Sequence, residues 1–141
     1  MKTDVGVIER VIDIAASPET VYRLLTDPVE YIRWKGRAAE LDPRVGGVFR
    51  VAFKESAVSG RYVEVIPNRR VVFTWGWEAP DALVRPGGST VEIDLERQGS
   101  GTRLRLVHRG LAASELASHT EGWDYFLPRL IAVAEGREAA A

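Results

Sequence analysis

The chain contains no cysteine, so disulfides, thiolate metal sites and a cysteine nucleophile are all excluded. Histidine occurs twice, at His108 and His119, which leaves few ligands for a metal centre. No Gly-x-Ser-x-Gly elbow is present to carry a nucleophilic serine. Gly87-Gly88-Ser89 lacks the lysine and spacing that cradle phosphates. The formal net charge is −1 and the basic residues are interspersed with acids, so there is no electrostatic case for nucleic acid or acidic membranes. No apolar run approaches the roughly 20 residues that cross a bilayer. Met1 to Gly6 lacks the apolar core of a signal peptide, and a cytoplasmic location is expected.

What remains is an ordinary globular composition, 45% hydrophobic and 28% charged. The 141 residues suit one domain, 1–141, with no repeat, linker or low-complexity segment. Its most informative stretch is Phe73-Thr74-Trp75-Gly76-Trp77. Alternate side chains of a strand share a face, so Val71, Phe73, Trp75 and Trp77 align over an expected strand Arg70 to Glu78. An expected helix from Ser114 to Ala134 offers the partner, with Trp123, Leu127 and Leu130 on one side. Pro128 inside it cannot donate to the Asp124 carbonyl, and Gly136 is its stop. Beyond it, Glu138 to Ala141 reads as a frayed tail.

The earlier segments complete the order. Val5 to Ile14 alternates as a strand, with Ile8, Ile12 and Ile14 on one face and Arg10 among them, wet or paired. Ser17-Pro18 opens a short helix whose stripe is Val21, Leu24 and Leu25. Asp27-Pro28 breaks it and begins a second, running to about Trp34. Strands are expected over Val48 to Lys54, Arg61 to Ile66, Val91 to Glu96 and Arg103 to His108. Glu92, Asp94 and Glu96 face Arg103 and Arg105 in a hairpin, each pair contributing about 0.2–1 kcal/mol. Strands without intervening helices favour hairpins, so the fold class is α+β. One curved antiparallel sheet wraps around one long C-terminal helix, with two short helices after the first strand.

That order and these residues resemble the helix-grip superfamily of START-related and birch-pollen-allergen-like proteins. Within it the chain is similar to the bacterial family named after the C-terminal domain of the heat-shock-protein-90 ATPase activator. The matching residues are Ala16-Ser17-Pro18-Glu19-Thr20-Val21-Tyr22, Leu25-Thr26-Asp27-Pro28, Trp34, and Leu41-Asp42-Pro43-Arg44 with Gly46-Gly47. Gly60 to Val65, Arg70 to Trp75, Thr102-Arg103-Leu104, His108, His119 and Gly122-Trp123 with Leu127 and Leu130 complete them. Lys35, directly after Trp34, departs from the second aromatic that many relatives carry. The resemblance implies an internal cavity between sheet and helix.

The candidate ligand-binding residues are Trp34, Phe49, Val51, Phe53, Tyr62, Glu64, Phe73, Trp75, Trp77, His108, Trp123 and Leu127. The aromatic members suit a pocket, which is mostly apolar with few polar groups, and equally suit a packed core. Glu64 and His108, if both point inward, would orient a polar ligand or act as acid and base, with Tyr62 on the face of Glu64. The alternative is a solvent-facing Glu64 and a hydrogen-bonded structural His108. Glu115 and His119 are four apart on the last helix, a chelating spacing that recurs by chance. No metal or other cofactor is expected. The leading reading is non-enzymatic binding of a hydrophobic or amphipathic small molecule. A cyclase- or hydrolase-like enzyme in the same cavity is the alternative, and a domain that binds a chaperone or regulator is the third.

Overall fold

A computed structural model describes residues 5–138. The tail expected at Glu138 to Ala141 lies, past Glu138, outside the described residues. The elements run β1 (Val5–Ile14), α1 (Pro18–Thr26), α2 (Pro28–Tyr31), β2 (Ala38–Leu41), β3 (Val48–Ala52), β4 (Ala57–Ile66), β5 (Arg70–Trp75), β6 (Ser89–Gln98), β7 (Gly101–Ala112) and α3 (Leu116–Ala134). The strands form one antiparallel sheet ordered β1-β7-β6-β5-β4-β3-β2. From β2 to β7 every strand neighbours the next in sequence; only β1 crosses over, to pair with β7. Among the described residues no helix is long and apolar enough to cross a membrane.

Local chemistry sets each boundary. Ser17 Oγ accepts from the Thr20 amide at 3.2 Å and Pro18 takes the first helical turn, where its missing N–H costs nothing. Asp27 ends α1 and caps α2, accepting from Val29 and Glu30 amides at 2.9 and 3.1 Å. The two short helices then deliver Trp34, whose indole N–H donates to the Leu24 carbonyl at 2.8 Å. A single 3-10 turn, Ala113–Glu115, leads into α3, whose buried side is His119, Trp123, Leu127, Leu130 and Val133. That side lies on the inner sheet face, formed by Ile8, Ile14, Phe49, Val51, Tyr62, Val71, Phe73, Trp75, Val91, Ile93, Leu104 and Leu106. Arg10, on the inner face of β1, is paired: it reaches Asp124 of α3 at 2.7 Å.

The expected hairpin of β6 and β7 forms, with Asp94 opposite Arg105 and Glu96 opposite Arg103. Within the hairpin Arg109 reaches Glu92 at 2.6 Å, while the expected pairs of Asp94 and Glu96 with Arg105 and Arg103 are replaced by pairs to other strands. Arg103 reaches Asp13 and Arg105 reaches Glu9, both on β1, while Arg70 of β5 takes Glu64, Glu92 and Asp94. Val72 and Val107, which flank Glu92 in the register, are buried within this charged outer face.

Several bounds differ from the sequence expectation: α2 stops at Tyr31 and β3 at Ala52, β4 begins at Ala57, β6 and β7 extend beyond their expected ends, and β2 has no counterpart in it. The aromatic strand ends at Trp75 because Gly76 passes against the Arg85 carbonyl, where a β-carbon has no room. Trp77 continues as an isolated bridge to Val58, its amide donating to the Val84 carbonyl at 2.7 Å. Edge strand β2, Ala-Ala-Glu-Leu, carries none of the β-branched or aromatic enrichment that would mark it in sequence.

Glycine positions test this packing. A β-carbon on Gly122 of α3 meets nothing within 4 Å, whereas one on Gly76 collides with backbone. Gly122→Ala is expected to raise stability by about 0.5–1 kcal/mol through helix propensity. Gly76→Ala should lower it by more than about 1 kcal/mol. Urea denaturation of the two variants measures both.

Candidate functional site

Trp75 is the centre of the interior. It contacts Phe49 on β3 and Trp77, His108 of β7 at 5.6 Å and Trp123 of α3 at 5.8 Å between ring centroids. On one side Phe49 stacks on Phe73 at 4.0 Å and meets Tyr62 and Tyr31 edge-on, with Trp34 beyond. On the other, Phe53 packs on Trp77 and Phe126, and Trp77 meets His119. Trp34, Phe49, Val51, Tyr62, Phe73, Trp75, His108, Trp123 and Leu127 are thus buried together, with Phe53 and Trp77 half-buried at one end.

Glu64 is the exception. A register shift in β4 between Tyr62 and Glu64 inserts Val63, so that Val63 and Glu64 both face outward and Val65 returns to the core. Glu64 pairs there with Arg70 at 2.7 Å, on the far side of the sheet from His108. The expected shared face of Tyr62 and Glu64 is therefore absent, and the two cannot act together in the interior. A bulge changes which residues share a face, and alternation alone does not reveal it.

His108 is fully buried and both ring nitrogens are engaged. The Trp123 indole N–H donates to Nδ1 at 3.0 Å, so that nitrogen carries a lone pair. Nε2–H is then the donor to Ser89 Oγ at 2.8 Å, and the hydroxyl donates onward to the Trp75 carbonyl at 2.8 Å. Every hydrogen in this relay has one consistent direction, with His108 neutral. Burial, and next the neighbouring His119 and Lys35, draws the imidazole down to about 3. His119 is held similarly: Trp77 N–H donates to Nε2 at 3.0 Å, and Nδ1–H donates to the Glu115 carbonyl at 2.8 Å. The i,i+4 pair of Glu115 and His119 is thus joined through that backbone carbonyl, and His119's ring nitrogens are spent on hydrogen bonds.

Lys35 is the residue whose role in the interior sequence reasoning missed. It is 3% exposed. Its ammonium lies 3.9 Å from the Trp123 ring centroid, 4.3 Å from Trp75, 5.3 Å from Phe126 and 5.8 Å from Trp34. Among the described residues no carboxylate or carbonyl is hydrogen-bonded to it. Burial draws the amine down to about 7, while the ring faces favour the charged form and oppose that draw. Two further polar groups are buried without a hydrogen-bond partner among the described residues, Trp75 Nε1 and Tyr62 Oη. A shallow depression of about 320 Å³, lined by Trp77, Ala79, Ala82, Leu83, Glu115, Ser118 and His119, opens beside the half-buried end. Lys35 was visible in the sequence only as a departure after Trp34, since lone lysines are ordinarily exposed.

The family model for Activator of Hsp90 ATPase homolog 1-like protein matches residues 15–135. The chain belongs to that family, within the helix-grip superfamily. An AHSA1-like protein from Rhizobium etli is 38% identical over 99% of this chain and 89% of its own, with a TM-score of 0.74. An HSP90 activator from Plasmodium falciparum is 25% identical over 86% of this chain and 90% of its own, at 0.71. DynU16, a putative protein in the dynemicin biosynthetic locus, is 23% identical and shares the fold at 0.80, over 96% of this chain and 49% of its own. Among curated proteins no match was found.

The site generates two stability predictions. Trp123→Ala removes a buried ring and leaves His108 Nδ1 without its donor; a loss on the order of 3–5 kcal/mol is expected by chemical denaturation. The second concerns pH. The unfolded lysine holds its proton to about 10.4, while folded Lys35 releases it above about 7. Between those values the unfolded state binds more protons, so stability rises with pH. Folded His108 binds its proton only near pH 3, and stability falls with pH from the usual histidine range towards that value. Lys35→Met should therefore raise stability at pH 7 and flatten its rise above pH 7, leaving the acid limb in place; denaturation across a pH series reads this.

Proposed function

We propose that this protein is a non-enzymatic binding module that holds a hydrophobic or amphipathic small molecule between the sheet and α3. The candidate lining is the aromatic set around Trp75 and Trp123, and a cytoplasmic location goes with this reading. One observation carries it: Trp75 Nε1 and Tyr62 Oη are buried in the aromatic interior with no hydrogen-bond partner among the described residues, and the Lys35 amine lies against the Trp75 and Trp123 rings. Buried polar groups are paired in the great majority of cases, and each unpaired one costs about 1–3 kcal/mol. A core selected for packing alone loses stability at both positions, and burying the Lys35 amine adds a desolvation cost. A ligand with an apolar body and a polar head recovers it. The depression beside Trp77, Leu83 and His119 is the natural approach, since Leu83 is 68% exposed and Trp77 leads directly to Trp75. An acid–base enzyme is disfavoured by the outward Glu64 and by the neutral, fully engaged His108.

A second reading is favoured by the close contact of the inner rings and by the family's name. It is a domain that docks on a chaperone of the Hsp90 kind without holding a small molecule.

Titration with an apolar fluorescent probe separates the two. Burying one methylene contributes about 0.8 kcal/mol, so a probe with several reaches micromolar affinity without catalytic groups. One probe per chain is expected, with affinity altered by Trp75→Ala and unchanged by Glu64→Gln. Absence of binding to folded protein, together with stimulation of an Hsp90 ATPase, would replace the first reading with the second.

A further inference from the structure

Lysine occurs at only three positions, Lys2, Lys35 and Lys54, against sixteen arginines. Surface cations in this chain are overwhelmingly arginine, and the ion pairs of the outer face all use it. The buried cation is a lysine. The two differ in one decisive respect: a guanidinium stays charged in any protein site, whereas a desolvated lysine amine can lose its proton and become a nucleophile.

The surroundings of Lys35 favour that form. The titratable or charged groups on the neighbouring elements are His108 of β7, Glu30 of α2 with Arg33 just after it, and His119, Glu121, Asp124 and Arg129 of α3. Glu30 is paired with Arg33 and Asp124 with Arg10 at the surface, and Glu121 is exposed. Burial is the sole cause drawing the amine down, to about 7. The main chain holds the residue in place: the Lys35 amide donates to the Tyr31 carbonyl at 3.1 Å, and Arg129 Nε donates to the Trp34 carbonyl at 3.0 Å. The next residue, Gly36, turns the chain with φ +83° and is half-exposed, and Phe126 of the surrounding rings is half-buried. The amine is enclosed by aromatic faces, with half-buried Gly36 and Phe126 beside it. The Trp75 indole N–H, on the ring 4.3 Å from the amine, has no acceptor among the described residues.

We propose that Lys35 is a nucleophilic amine that captures a small aldehyde or ketone with an apolar body as an imine, within the aromatic enclosure of Trp34, Trp75, Trp123 and Phe126. The amine lone pair forms a bond to the carbonyl carbon as the carbon–oxygen π bond breaks, giving a carbinolamine. That intermediate expels its oxygen as water, taking up the amine protons, and the carbon–nitrogen double bond forms. Amine and carbonyl become imine and water, and nothing is oxidised or reduced. The free Trp75 N–H is the donor available to the carbonyl oxygen, and the rings hold the apolar body. The proposal rests on the reading that small molecules enter between sheet and α3, and it adds the carbonyl class as ligand and a covalent bond as the mode of retention.

The test uses the intact protein, benzaldehyde and cyanoborohydride, which traps an imine as a stable benzylamine, followed by peptide mapping at a series of pH values. Binding of an apolar fluorescent probe is measured in parallel. The expected result is one benzyl group on Lys35 at doses that leave Lys54 unmodified, with a pH midpoint near 7. Exposed Lys54 serves as the comparison amine within the same chain. Bound probe should block the Lys35 reaction, Lys35→Arg should abolish that adduct alone, and Trp75→Phe should slow it several-fold while Lys54 is unaffected. Probe binding with Lys35 unmodified in folded protein, although labelled once unfolded in urea, overturns the imine proposal and leaves the binding reading standing. Failure of both probe and aldehyde to reach the interior overturns both.

Discussion

The sheet and the last helix are joined by one buried hydrogen-bonded relay, from the Trp123 indole through His108 and Ser89 to the Trp75 carbonyl. Apolar packing alone tolerates small rotations of a helix on a sheet. A relay of directional bonds does not, because each donor must meet its acceptor within a few tenths of an ångström. Trp123 must point at β7, so Leu127 and Leu130, one and two turns on, fall onto the same inner face. The Arg10–Asp124 pair and the Glu135 carboxylate accepting from the Ala15 amide at 2.8 Å fix the same orientation from the exposed side. Exposed ion pairs contribute little energy by themselves, about 0–1 kcal/mol. Their role here is to agree with the relay.

The same relay removes His108 from chemistry. A general base needs a free lone pair facing its substrate, and the lone pair of His108 faces Trp123. The polar capacity of the interior then rests with Lys35, Trp75 Nε1 and Tyr62 Oη, of which only the indole N–H is a donor alone.

Much of this architecture was legible in the sequence, and the reasons are specific. The inward faces of β1, β5, β6 and β7 follow from alternation, because one side of each strand meets α3 and the other meets water. Ser17-Pro18 and Asp27-Pro28 marked helix starts through the chemistry of capping. Three features were hidden. The inserted residue in β4 has no signature, since Val63 suits either face. Edge strand β2 is held by pairing with β3 rather than by its own residues. Lys35 is buried by a turn that only the assembled α2 and α3 create. Local sequence shows what a residue prefers; here tertiary contacts overrode the preference at these three places.

The gathering of all four tryptophans in one interior has an optical consequence. Trp75 contacts both Trp77 and Trp123, and Trp34 lies against the same ammonium as Trp75 and Trp123. Excitation absorbed by any of these indoles passes readily to its neighbours, and Trp75 and Trp123 also lie against the imidazole of His108. Intrinsic fluorescence therefore reports the interior as a single emitter rather than four scattered ones. The space between sheet and helix carries its own built-in spectroscopic label.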